Sequence, residues 1–317
     1  PVRPNHGRHE YNSGPTHPLM RIAGMPTGSA RPYWRDVLIT ALAPMIWGST
    51  YIITSELLPP DRPFTAAVIR VLPAGLLLLL LTRRLPALRH GWRLLVLSAL
   101  NIGFFQALLF IAAYRLPGGL AAVLGSIQPL VVMALSWVVA RRAPVPLTLW
   151  SAVAGIAGMA VLLLSPQTVF EPVGITAALT GAVCMACGIW LTQRWQLELP
   201  VLALTGWQLL LGGLMLLPLA WSLDAPLPPL SLTQIGAYAY LCLAGAVFAY
   251  VIFFRGVVRL PAVAVASLGL LSPLTAVVLG WVLLGQSIRG SALLGLVVVL
   301  FSVFGVQWTA ARGRQPR

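Results

Sequence analysis

Apolar residues run through this chain in blocks of helical length, separated by short clusters of Pro, Gly and Arg. A block of roughly 20 apolar residues is what a helix needs to cross the hydrocarbon core of a bilayer. Such blocks predict helices near 37–58, 64–82, 92–113, 118–140, 146–165, 173–195, 200–221, 233–255, 262–284 and 289–309. None alternates apolar and polar positions with a period of two, the pattern that a membrane barrel strand requires. The expected fold class is therefore an all-α integral membrane protein with ten transmembrane helices. Residues 1–35 mix Pro, Gly, Asn and Arg without an apolar run and read as a disordered N-terminal tail, neither a signal peptide nor a domain. Met20 and Met25 are alternative starts within it, and no function is assigned to it.

Composition narrows the class. Of 317 residues, 58% are hydrophobic and 9% charged, where soluble domains approach about a quarter charged. After ten spans, no length remains for a large extramembrane catalytic domain. The net charge of +14 comes from 21 basic residues, all Arg, against seven acids. In a soluble protein such an excess would point to nucleic acid, but here the arginines sit in the loops. Seventeen fall in the tails and the even-numbered connectors, three (Arg62, Arg115 and Arg289) in the odd-numbered ones, and Arg70 alone within a span. Basic residues in short loops stay on the cytoplasmic side, which predicts both termini cytoplasmic. Trp34, Trp92, Trp150, Trp195, Trp221 and Trp308 stand at span ends, where an indole serves as an interfacial anchor. Cys184, Cys187 and Cys242 lie in apolar stretches and offer no disulfide framework.

A shift of 144 residues lays RLPGGLAAVLGSIQPLVVMALSW (115–137) over RLPAVAVASLGLLSPLTAVVLGW (259–281), and a shift of 143 lays Trp47 on Trp190. The expected organisation is a first five-helix repeat over 36–166, a second over 172–311, and a C-terminal tail over 312–317. Because each repeat has an odd number of spans, the second enters the membrane from the opposite side. Inverted repeats of this kind accompany alternating access about a midplane site.

Three segments carry a family resemblance: PMIWGSTYIITSELL in span 1, IRVLPAGLLLLLL in span 2, and LGLLSPLTAVVLGWVLLGQSIRGSALLGLVVVLFSVFG across spans 9 and 10. The chain resembles the EamA-type transporters of the drug/metabolite transporter superfamily, and within them most the YddG-type amino-acid exporters. The resemblance implies a bacterial inner-membrane carrier with a central cavity lined by spans 1, 3, 4, 6, 8 and 9. Where family members often carry Glu after the fourth and ninth spans, this chain has Arg142 and Gln286.

Deep polar or aromatic residues are costly in lipid unless they face a cavity or a partner helix. Those at mid-span are Trp47, Asn101, Gln106, Gln128, Trp190, Tyr250 and Ser272, which are the candidate substrate-binding residues. For each, an interhelical hydrogen bond or simple packing is the alternative role. Trp207 and Gln208 on span 7 are weaker candidates. Pro129 and Pro273 each remove the amide that would bond the carbonyl four residues back, that of Gly125 and Gly269. The four residues form a pair of candidate hinges with bare backbone near the midplane, or else static kinks. Arg70 either snorkels to the interface, pairing with Glu56 or Asp61, or lies on the substrate path.

Absences bear on chemistry. No Asp, Glu or His lies deep in any span, which disfavours proton coupling and organic-cation transport. Phosphorylated substrates would call for several buried cations, and only Arg70 is available. A nucleophile with a base, a metal cluster or paired carboxylates would be needed for an integral membrane enzyme, and the spans hold none, so neither catalytic residues, metal nor cofactor is assigned. What remains is a carrier exporting small neutral or zwitterionic metabolites, foremost amino acids with apolar or aromatic side chains. The expected partners are that substrate and the lipid bilayer, without nucleic acid or an obligate protein. The alternatives are a multidrug or other metabolite efflux carrier, a passive channel, or a membrane enzyme.

Overall fold

The computed structural model describes residues 30–116, 118–164, 171–285 and 290–313. Most of the N-terminal segment, Pro117, residues 165–170, residues 286–289 (Gln286 and Arg289 among them) and 314–317 fall outside them. Ten helical stretches are long and apolar enough to cross a membrane: Tyr33–Thr54, Pro63–Thr82, Leu88–Ala112, Leu120–Ala140 and Pro146–Leu163 as spans 1 to 5, then Pro172–Trp195, Val201–Leu223, Leu232–Arg259, Ala262–Leu283 and Ser291–Arg312 as spans 6 to 10. Helix is the required solution, because lipid offers no partner for a backbone N–H or C=O. The helix of span 1 begins at Ala30, inside the segment expected as tail, and this brings Asp36 into its first turns.

Packing follows the repeat. Span 2 lies along span 7 and span 5 along span 10, each pair made of repeat mates, while span 1 meets spans 8 and 9 as span 6 meets spans 3 and 4. Close approach within these pairs rests on glycine, as membrane helix interfaces commonly do. A Cβ built on Gly75 of span 2 would stand 2.5 Å from the Leu210 amide nitrogen of span 7. One built on Gly295 of span 10 would stand 2.6 Å from the Gly158 carbonyl oxygen of span 5.

Four irregularities interrupt the helices, and they too come in repeat-related pairs. Span 3 carries a π-helical segment at Ala99–Gly103 and span 8 one at Leu243–Phe248, with starts 144 residues apart. Spans 4 and 9 are each broken rather than merely kinked. Span 4 divides into Gly118–Gly125 and Gln128–Ala140, and span 9 into Ala262–Leu268 and Leu271–Leu284. Both breaks stand just before the prolines singled out in the sequence. At the second, Ser272 N donates to the Gly269 carbonyl at 3.1 Å, so that carbonyl is not bare as expected. Among the described residues no corresponding backbone bond reaches Gly125 across its break.

Candidate functional site

The interior is organised by the π segments. Where a helix widens to i→i+5 bonding its ladder becomes irregular, and carbonyls turn toward neighbouring helices. In span 8 the carbonyl of Gly245 accepts from Trp47 Nε1 of span 1 at 2.9 Å and from an Arg70 guanidinium nitrogen of span 2 at 3.0 Å. Gly245 sits at the middle of span 8, so the Arg70 charge is carried to mid-span depth. Ala66 and Ala74, one turn to either side on the same face of span 2, are buried. Arg70 therefore faces inward, and the expectation that it snorkels to the interface is corrected. The Trp47 ring lies 4.8 Å from that of Tyr250 and 5.0 Å from that of Phe253.

The repeat mate of Gly245 is Asn101, in the π segment of span 3. Asn101 is fully buried, and its Nδ2 donates to Gln208 Oε1 at 2.7 Å and to Thr192 Oγ1 at 3.4 Å. Gly188 makes room for it, since a Cβ there would collide with the Asn101 carbonyl oxygen. One scaffold position thus joins spans 1, 2 and 8 through a backbone carbonyl, and in the other half joins spans 3, 6 and 7 through a side-chain amide. Asn101 is sealed in an interhelical cluster, and Gln208, one of the weaker candidates in the sequence, is its partner.

Gln106 and Tyr250 are also repeat mates, 144 residues apart, and they bond each other, Nε2 to the phenol oxygen, at 3.1 Å. Two equivalent residues touch only where the pseudo-two-fold axis passes between them, which marks the centre of the molecule. Near it the two broken spans adjoin. Gln128 Oε1 stands 3.6 Å from where a Cβ on Gly269 would lie. A cavity of about 40 Å³ opens beside the first break, lined by Phe105, Leu109, Gly125, Gln128, Ala178 and Gly181 among others. Ser272 is met through its carbonyl by span 1, where a Cβ on Gly48 would come within 2.5 Å of that oxygen. Trp190 does not join Trp47. It is half-buried toward the end of span 6, with the Arg194 guanidinium 5.3 Å from its ring centroid. Inversion explains this, because mates at equal distances from the starts of antiparallel spans lie in opposite halves of the membrane.

Polar latches close the two faces unequally. On the face bearing the chain ends, Asp36 of span 1 holds Arg255 of span 8 at 2.7 Å and Arg259 at 3.5 Å, with its side chain 13% exposed. Beside them Gln193 Nε2 of span 6 donates to the Val257 and Leu260 carbonyls, both at 2.6 Å. On the opposite face Arg115, the repeat mate of Arg259, meets Glu171 at the start of span 6 at 3.4 Å, with side chains 51% and 30% exposed. Among the described residues no three His, Cys, Asp or Glu side chains converge as a metal site.

A bundle of ten spans in two halves, interrupted in matched places around a polar and aromatic centre, has the architecture of a membrane transporter. The profile of the EamA-like transporter family matches residues 34–164 and again 172–308, and the chain belongs to that family. It is 42% identical over 268 residues to Protein PecM of Dickeya dadantii, covering 84% of this chain and 90% of that one. It is 30% identical over 273 residues to the uncharacterized inner membrane transporter YedA of Escherichia coli K12, covering 82% and 86% of the two. A crystal structure only 18% identical in sequence superposes with a TM-score of 0.76 over 88% of this chain and 98% of its own, which shows a common fold.

Proposed function

We propose that the protein is a carrier of the bacterial inner membrane that exports small neutral or zwitterionic metabolites, foremost amino acids with apolar or aromatic side chains. Transport proceeds by alternating access and without proton coupling. Both termini are cytoplasmic on the strength of the arginine bias. The observation that carries this reading is the unequal latching of the two faces: the repeat mates Arg115 and Arg259 make similar contacts at half-exposed guanidinium groups, and Arg255 adds a closer and less exposed bond to Asp36 on one face alone. A charge-assisted bond in a partly buried pair such as Asp36–Arg255 is worth about 1.5–3 kcal/mol, whereas an exposed pair is worth about 0.2–1 kcal/mol. The present conformation is therefore held shut on the cytoplasmic face and only lightly on the other, and the inverted repeat supplies the converse state by exchanging the roles of its halves.

Trp47, Gln106, Gln128, Tyr250 and Ser272 gather around the axis as the proposed substrate path, with Asn101 and Trp190 joining it as the halves exchange. Gly125 with Pro129 and Gly269 with Pro273 are the proposed hinges. Proton independence is supported by the middle of the described spans, which offers amides, hydroxyls and one guanidinium but no carboxylate or imidazole. The test is uptake of labelled phenylalanine, leucine and tryptophan into proteoliposomes under an imposed pH gradient. Amino acids are expected to equilibrate along their own gradients at a rate the pH gradient does not change. Accumulation above equilibrium driven by the pH gradient would refute the uncoupled mechanism, and no uptake of any of the three would refute the substrate class.

A further inference from the structure

We propose that Arg70 is the anchor for a substrate carboxylate, presented at mid-span depth by the span 8 π segment. The inference deepens the carrier reading above and rests on it for the location of the path. A guanidinium in the hydrocarbon zone is expensive, and a side chain as long as arginine ordinarily escapes toward the interface. Arg70 does the opposite. It reaches inward to the Gly245 carbonyl, shares that acceptor with the Trp47 indole, and comes beside Thr50, whose methyl and the Arg70 guanidinium both stand about 3.6 Å from a Cβ built on Gly245. A Cβ at 245 would sit in ordinary contact with the guanidinium, and a side chain as long as that of its mate Asn101 would crowd it. Arg70 is only partly buried.

The chemistry of the partner follows from the fork. A guanidinium presents planar, parallel N–H donors that match a carboxylate in bidentate fashion. A single such group suits a single carboxylate, whereas a phosphate ester would call for more than one cation, and the remaining described arginines stand at span ends or in connectors. The Trp47 and Phe253 rings lie next to this corner, so an apolar substituent on the same molecule has a surface to pack against. The predicted ligand is a small carboxylate with an apolar or aromatic side chain, the α-carboxylate of an amino acid included.

Binding to the purified full-length protein, followed by thermal melting against ligand concentration, tests this with phenylalanine, 3-phenylpropanoate and phenethylamine. Both carboxylates should stabilise the wild type, and the amine that lacks one should not compete with them. Arg70→Gln should weaken both carboxylates about tenfold or more, the loss of a charge-assisted bond, while leaving any effect of the amine unchanged. A merely structural arginine would move all three alike. Arg70→Lys keeps the charge without the fork, so carboxylate affinity should fall between wild type and Gln. Should Arg70→Gln fail to fold, Arg70→Lys decides, and wild-type carboxylate affinity in that variant overturns the proposal. Equal carboxylate binding in wild type and Arg70→Gln overturns it also, as does a wild type that neither carboxylate stabilises. Because melting needs no transport, a protein that binds 3-phenylpropanoate through Arg70 yet carries no amino acid would refute the amino-acid reading and leave this one standing.

Discussion

Asp36→Asn opens the face that bears the chain ends. The carboxylate it removes holds both Arg255 and the half-exposed Arg259, and its loss takes a charge-assisted bond from the partly buried Arg255, at a cost of about 1.5–3 kcal/mol to the closed state. A bias of that size moves a two-state equilibrium by a factor of about ten to a hundred, so the population should shift strongly toward the open face. Glu171→Gln, acting on the exposed pair with Arg115, should shift the equilibrium the other way by no more than about fivefold. Ala121 and Val265 are repeat mates suited to report this, the first bordering the cavity beside span 4 and the second fully buried in span 9. With the three natural cysteines removed, Asp36→Asn should speed thiol labelling at Val265→Cys and slow it at Ala121→Cys. Labelling that rises at both positions, or at neither, would mean that the ion pair only braces the fold.

Replacing the prolines at the broken spans has the second large effect. Pro129→Ala restores an amide opposite the Gly125 carbonyl, which no backbone donor reaches across the break, and should draw span 4 toward a continuous helix. At Pro273 the new amide competes with Ser272 N, which already donates to the Gly269 carbonyl at 3.1 Å. The two substitutions should therefore bias the carrier in opposite directions and unequally, with Pro129→Ala the stronger. A transport rate reduced tenfold or more, and opposite changes of labelling at the same reporter positions, are the expected results. Wild-type rates and unchanged labelling in both would make the breaks static packing features.

The ten spans and the duplication were legible because hydropathy and proline placement survive as linear patterns in the sequence. The π segments were not, since one extra residue in a helical turn leaves no periodic trace, and Gly245 looks like any other glycine in an apolar run. Arg70 stood out as the sole charge within a span, but its direction was hidden: the side chain is long enough to reach either the interface or the centre, and only the acceptor on span 8 decides between them. Trp190 carries the opposite lesson. Its match to Trp47 was correct as a repeat, yet a match between antiparallel spans separates two residues across the membrane. The Asp36 latch was missed because the first helix begins before the apolar run does, which places on the helix an acid that stands just ahead of the expected span.

The central claim is that one molecule alternates between two closed-on-one-side states, and counterflow tests it most directly. Proteoliposomes loaded with unlabelled phenylalanine are diluted into a trace of the labelled amino acid. An alternating carrier returns to the outside with its site full, so labelled phenylalanine should transiently accumulate well above the level reached in empty vesicles, and Pro129→Ala should blunt the overshoot. A channel has no such exchange, and a label that only equilibrates, with no overshoot at any internal concentration, would contradict the account.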